Sequence, residues 1–154
     1  METLQNEIFA VPDAAQFVRV SARLVAAVLL GALLGVERER EGKAAGLRTH
    51  MLVALGAALF IIAPAEGGME IADLSRVFQG VATGIGFVGA GTILKLTEQQ
   101  EIRGLTTAAS LWLTAAVGMA VGAGLLWIPV MSAVLAYLIL SVLGRLERRM
   151  DDSR

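Results

Sequence analysis

Gly80-Val-Ala-Thr-Gly84-Ile-Gly86-Phe-Val-Gly89-Ala-Gly91-Thr92 is a run of sequence with five glycines and no charged side chain. Gly80 and Gly84 lie four apart with Gly91 one heptad beyond Gly84, while Ala82, Gly86, Gly89 and Ala90 mark a second face at helical spacing. In water each glycine would weaken a helix by about 1 kcal/mol relative to alanine. In a bilayer the backbone must bond to itself, and glycine instead lets neighbouring helices approach closely. The stretch therefore reads as a membrane helix whose packing core is Gly80, Gly84, Gly86, Gly89 and Gly91, and the chain is expected to be built around it. Gly84 to Gly89 also spells G-x-G-x-x-G. The dinucleotide fingerprint, however, needs a preceding strand and an acidic residue about 20 positions on, where this chain has Gly104.

Outward from that stretch the composition agrees. Of 154 residues 56% are hydrophobic and only 18% charged, and the mean hydropathy is +0.69, too apolar for an ordinary soluble domain. The expected fold is all-α, a polytopic bundle of five transmembrane helices with glycine-rich close packing. Spans are expected at Val18 to Val36, from near Ala44 to Ala63, at Val77 to Leu96, at Leu105 to Ile128 and at Val130 to about Leu146, with Pro64, Gly67 and Gly68 breaking the second. Residues 1–16 read as a short extracytoplasmic lead without the basic start of a signal peptide, 17–147 as the membrane domain and 148–154 as a charged cytoplasmic tail. The absence of cysteine excludes disulfides and thiolate metal sites.

Charge placement sets the orientation. Ten of the 13 Lys and Arg residues fall in the first loop, the third loop and the tail, all on one side; Arg19, Arg23 and Arg76 face the other. Positive residues stay inside, so the N-terminus is expected outside and the C-terminus in the cytoplasm. The partners implied are the lipid bilayer, a second copy in a homodimer suggested by surplus small-residue stripes, and another membrane protein; nucleic acid is not expected.

Polar residues of three spans meet at the cytoplasmic rim. Glu37 and Glu39 end the first span, and one or two carboxylates with retained waters suit Mg²⁺; an alternating Glu/Arg run is also a solvated boundary, the reading favoured by spacing alone. Arg48 and His50 begin the second span and could meet an anion, a lipid phosphate or a carboxylate of the first loop; a lone histidine is more often structural. Arg103, Thr106 and Thr107 begin the fourth, where the hydroxyls can cap the helix or line a polar vestibule with the first loop. If Arg48 meets a carboxylate there, Glu37 is the partner expected. Ser110 has no acid or base partner at a recognisable spacing, so a serine hydrolase is not expected. Three stretches, Met51 to Ala63, Val77 to Leu94 and Leu105 to Leu143, hold no Asp, Glu, Lys or Arg. Intramembrane charge usually marks an ion path, so simple Mg²⁺ transport is disfavoured.

Four ordered motifs, Gly35-Val-Glu37-Arg-Glu39, Ala45-Gly46-Leu47-Arg48-Thr49, Gly84 to Thr92 and Arg103-Gly-Leu-Thr106-Thr107-Ala-Ala-Ser110, together resemble the MgtC/SapB family of bacterial membrane proteins over most of Leu24 to Leu125. The resemblance implies an inner-membrane protein linked to growth at low Mg²⁺, to survival of some pathogens in host cells and to control of the membrane ATP synthase. It also implies a short form, without the C-terminal cytoplasmic domain of many members. The function expected is a non-enzymatic one in magnesium homeostasis, through another membrane protein and without a cofactor, Mg²⁺ being the candidate ligand of Glu37 and Glu39. The alternative is a transporter of Mg²⁺ or another small solute.

Overall fold

The computed structural model of the chain describes residues 13–96 and 101–144. The tail assigned to 148–154 and all but the end of the lead assigned to 1–16 lie outside the described residues. Five helices follow in order: α1 (Ala14–Arg40), α2 (Leu47–Glu66), α3 (Ile71–Ala90), α4 (Leu105–Gly122) and α5 (Trp127–Leu138), the last continuing as a π-helical turn (Ile139–Leu143). Three of them, α1, α2 and α4, are long and apolar enough to cross a membrane. Loops too short for a return crossing join α1 to α2 and α2 to α3, so sequential helices run antiparallel. Between α3 and α4 the chain makes a two-stranded antiparallel hairpin, β1 (Leu94–Leu96) and β2 (Glu101–Arg103), with Leu94 opposite Arg103.

The helices begin and end by local chemistry. Asp13 caps α1 by accepting from the Gln16 backbone N–H at 2.5 Å. Three helices close on the same glycine turn: Gly42, Gly68 and Gly124 have φ of 62°, 82° and 86°. In each the next residue's N–H returns to a carbonyl of the last turn, Lys43 to Arg38, Met69 to Pro64 and Leu125 to Ala120. These caps move several expected boundaries. Helix α1 runs on to Arg40, so Glu37 and Arg38 are helical rather than loop residues. Pro64 does not break α2. It lies in the final turn, where a missing N–H costs one bond close to an end already capped by Gly68, and the helix continues to Glu66. Helix α3 starts six residues before Val77 and ends at Ala90, because the membrane does not forbid Asp73 and Arg76 in its exposed first two turns. Helix α4 stops at Gly122 rather than Ile128.

At the centre stands α4, not the glycine helix. It packs against α1, α2, α3 and α5, and its buried residues span its length from Thr107 to Gly122. The cores are made mostly of alanine: Ala27, Ala54, Ala58, Ile62 and Val121 join α1, α2 and α4, while Ala57, Ile85 and Ala115 join α2, α3 and α4. Close approach does fall on glycine, but elsewhere than expected. A Cβ on Gly31 would sit 2.7 Å from the His50 carbonyl oxygen, one on Gly35 2.7 Å from Leu47 Cα, and one on Gly122 2.7 Å from the Ala58 oxygen. One on Gly118 would strike the Ala54 backbone oxygen. On α3, by contrast, a Cβ at Gly80, Gly84 or Gly86 meets nothing within 4 Å, and at Gly91 only carbonyls of its own last turns. Gly89 alone of the five touches another helix, with Ala108 Cβ at 3.5 Å.

The reason is composition on the facing side. Glycine permits contact only where the opposing surface is also small and near, as Ala54 and Ala58 are for α4. Opposite Gly80 and Gly84 lies an apolar groove of about 470 Å³ bounded by Leu52, Gly56 and Phe60 of α2.

Candidate functional site: a buried polar junction at the charged end of the bundle

The end of the bundle where α1 passes into α2 carries three polar arrangements. The first is an ion pair inside the protein. Glu37 and Arg38 are 5% and 3% exposed, and the guanidinium grips its neighbour through one edge, Nε to Oε2 at 2.5 Å and Nη2 to Oε1 at 3.0 Å. The outer nitrogen, Nη1, is buried without a partner. The pair replaces the expected Glu37–Arg48 bridge. Arg48, in the first turn of α2, points to the exposed side, and Arg38 competes for Glu37 with no loop to order.

The second arrangement ties three helices through His50, which is fully buried. Gly31 and Gly35 of α1 make room for its backbone and Cβ. Its Nδ1 lies 2.9 Å from the Gly46 carbonyl and its Nε2 3.2 Å from Ser110 Oγ of α4. A carbonyl oxygen only accepts, so Nδ1 carries a proton; a neutral ring then accepts from the Ser110 hydroxyl at Nε2. That hydroxyl also lies 2.8 Å from the Thr107 carbonyl, its alternative acceptor. Ser110 therefore does have an imidazole beside it, 60 residues away in sequence, which no local spacing reveals. Both ring nitrogens are engaged by Gly46 and Ser110. The arrangement as it stands fixes the register of α1, α2 and α4.

Third, Glu39 caps α2. Its Oε2 accepts the Leu47 N–H at 2.8 Å, placing a carboxylate at the positive end of the helix dipole where Gly46 offers no side chain. A Cβ on Gly46 would collide with that carboxylate. Replacing Glu39 by alanine is expected to cost about 1 kcal/mol, the usual value of a helix cap. Arg48→Ala should change stability by less than about 0.5 kcal/mol, as at other exposed sites. Reversible unfolding in mixed micelles measures both.

Of the residues singled out in the sequence, His50 and Thr107 are buried, Glu37 is buried and paired, Glu39 is an exposed cap, and Arg48 and Thr106 are exposed. Thr107, Arg103 and Gly104 face Glu41, Lys43 and Thr92 across a polar cleft of about 550 Å³ between the first loop and the start of α4. Thr106 belongs instead to a separate, apolar pocket between α4 and α5. Arg38, Lys43 and Ser110 were not among the candidates. Arg38 had a signal: the small-residue stripe Ala27, Gly31, Gly35 continues at helical spacing onto it. Among the described residues no three His, Asp or Glu side chains are grouped as a metal site.

These features define a helical membrane protein whose charged end is locked by buried polar groups. The chain belongs to the MgtC family, whose model matches residues 24–149. It is 45% identical over 140 residues to protein SrpB of Synechococcus elongatus, covering 84% of this chain and 77% of that one. YhiD of Escherichia coli K12, named as a candidate magnesium transporter, is 42% identical over 83% of this chain and 62% of its own. Protein MgtC of Salmonella typhimurium is 46% identical over 66% of this chain and 42% of its own. No solved structure matches the chain. The family and these names connect the protein with Mg²⁺ and with a bacterial membrane.

Proposed function

We propose that this protein acts in magnesium homeostasis and adaptation to low Mg²⁺ without catalysis, by modulating another protein of the bacterial inner membrane such as the ATP synthase. The observation carrying this reading is the engagement of the two carboxylates best placed to hold Mg²⁺: Glu37 by Arg38 inside the bundle and Glu39 by the α2 N-terminus. A dication that sheds water reluctantly would have to break one of these to bind. What the protein offers its surroundings is apolar helix surface, including the open glycine face of α3, on which a second copy would complete a closed homodimer. The orientation with the C-terminus cytoplasmic follows from the basic residues of the first and third loops and the tail.

The rival reading, a transporter of Mg²⁺ or another solute, draws support from the name of YhiD and from the polar cleft at the rim. Inverted inner-membrane vesicles from cells with and without the protein separate the two. Expression is expected to lower ATP-driven proton pumping while leaving Mg²⁺ uptake unchanged. Unchanged pumping with raised Mg²⁺ uptake would favour the transporter.

A further inference from the structure

Helix α3 meets the bundle along one ridge. Among its described residues only Ile85 and Gly89 are buried, Ile85 packed with Ala57 and Ala115 and Gly89 over Ala108. An apolar groove flanks that ridge on each side. One, of about 310 Å³, is bounded by Phe78, Gln79 and Ala82 against Trp112 and Ala116 of α4. The other, of about 470 Å³, separates Val77, Gly80, Gly84 and Val88 from Leu52, Gly56 and Phe60 of α2. Both walls of this larger groove carry glycine, and a Cβ on Gly56, Gly80 or Gly84 meets nothing within 4 Å. Leu52 and Phe60, one turn to either side of Gly56, are 67% and 63% exposed. The small surface that glycine needs opposite it is therefore present on α2, but it is not near.

We propose that α3 has a second position, reached by rocking on the Ile85–Gly89 ridge, in which it closes the larger groove and seats Phe60 and Leu52 against Gly80 and Gly84. The two helices run antiparallel, so Phe60 lies toward Gly80 and Leu52 toward Gly84. Side chains of α2 then fill the hollows that the glycines leave in α3, as ridges fill grooves in packed helices. Lipid supplies no hydrophobic drive between helices, so the gain is close packing, which glycine permits. Gly67 and Gly68 at one end and the turn after Ala90 at the other are the short connections that absorb the motion. Closure withdraws Gly80 and Gly84 from the surface and widens the smaller groove. It goes beyond the modulator reading and holds for a single chain, whether or not the homodimer forms.

The chain has no cysteine, so introduced cysteines are the only sites for spin labels. The full chain in liposomes carries Leu59→Cys on α2 and Thr83→Cys on α3, both exposed and outside the groove lining. Dilution into excess unlabelled chain leaves only distances within one chain. Double electron–electron resonance is expected to show two distances, the shorter by at least about 3 Å, roughly the atomic layer that closure expels. Gly84→Leu fills the groove and should abolish the shorter distance, whereas Gly86→Leu, outside the lining, should leave it. Phe60→Ala removes a side chain that fills a hollow and should lower the shorter population severalfold. Val25→Cys with Leu59→Cys, across the packed α1–α2 seam, should give one distance throughout. A single distance between the Leu59 and Thr83 positions, equal loss in Gly84→Leu and Gly86→Leu, or a shorter population unchanged by Phe60→Ala would overturn the proposal.

Discussion

Gly118→Leu is expected to prevent the bundle from assembling, with a loss of stability above about 3 kcal/mol, the upper end of overpacking costs. The Cβ alone would strike the Ala54 backbone oxygen, and Ala54 Cα would lie 2.9 Å away. Backbone cannot swing aside as a side chain can, so α2 and α4 must separate along a seam that also holds Ala58, Ile62 and Val121. A domain with total stability of roughly 5–15 kcal/mol has little margin for that. Gly84→Leu is the control, since nothing lies within 4 Å of its Cβ. The single chain should fold with a change below about 0.5 kcal/mol, while the homodimer proposed on this face should dissociate. Thermal midpoint and light scattering in mild detergent read the two effects separately. A Gly118→Leu protein that folds normally, or a Gly84→Leu chain that fails to fold, would show that the helix contacts are misassigned.

The second large effect belongs to the buried ion pair. Glu37→Gln is expected to destabilise the protein by about 3–5 kcal/mol, because Arg38 would then be a buried charge without a counterion, in a site that already leaves Nη1 without a partner. Replacing both residues by methionine should cost less than either single change, since desolvating two charges consumes much of what their attraction returns. Denaturant unfolding of the two singles and the double closes the cycle. Additive costs would mean that the residues act independently and that water reaches both. Charge reversal at Arg48 should do little, in contrast to the effect expected if Arg48 were the partner of Glu37.

How far these features were legible in the sequence depends on the distance over which each is decided. The five helices follow from composition, because a bilayer leaves apolar segments no other choice. Their ends depend on caps: Gly42, Gly68 and Gly124 set them through a positive φ that hydropathy does not register. The glycines of Gly80 to Thr92 misled about the packing core. Density of small residues reports what a helix permits, whereas contact also needs a small surface opposite, which α2 presents to α4 through Ala54 and Ala58. The rim was half visible. Glu37, His50 and Thr107 stood out as polar residues beside apolar runs, but the partner of Glu37 is the next residue, and that of His50 is Ser110, 60 positions on. Continuing the α1 stripe by one more step would have placed Arg38 inside the protein.

The proposal on which the rest depends is that the rim carboxylates are engaged within the protein, Glu37 by Arg38 and Glu39 by the start of α2, and do not serve an ion path. Uptake of Mg²⁺ by proteoliposomes containing only this protein tests it most directly. The account predicts uptake equal to that of protein-free liposomes at every external Mg²⁺ concentration. Saturable uptake that disappears in the Glu39→Gln variant, whose fold should survive the loss of one helix cap, would contradict it.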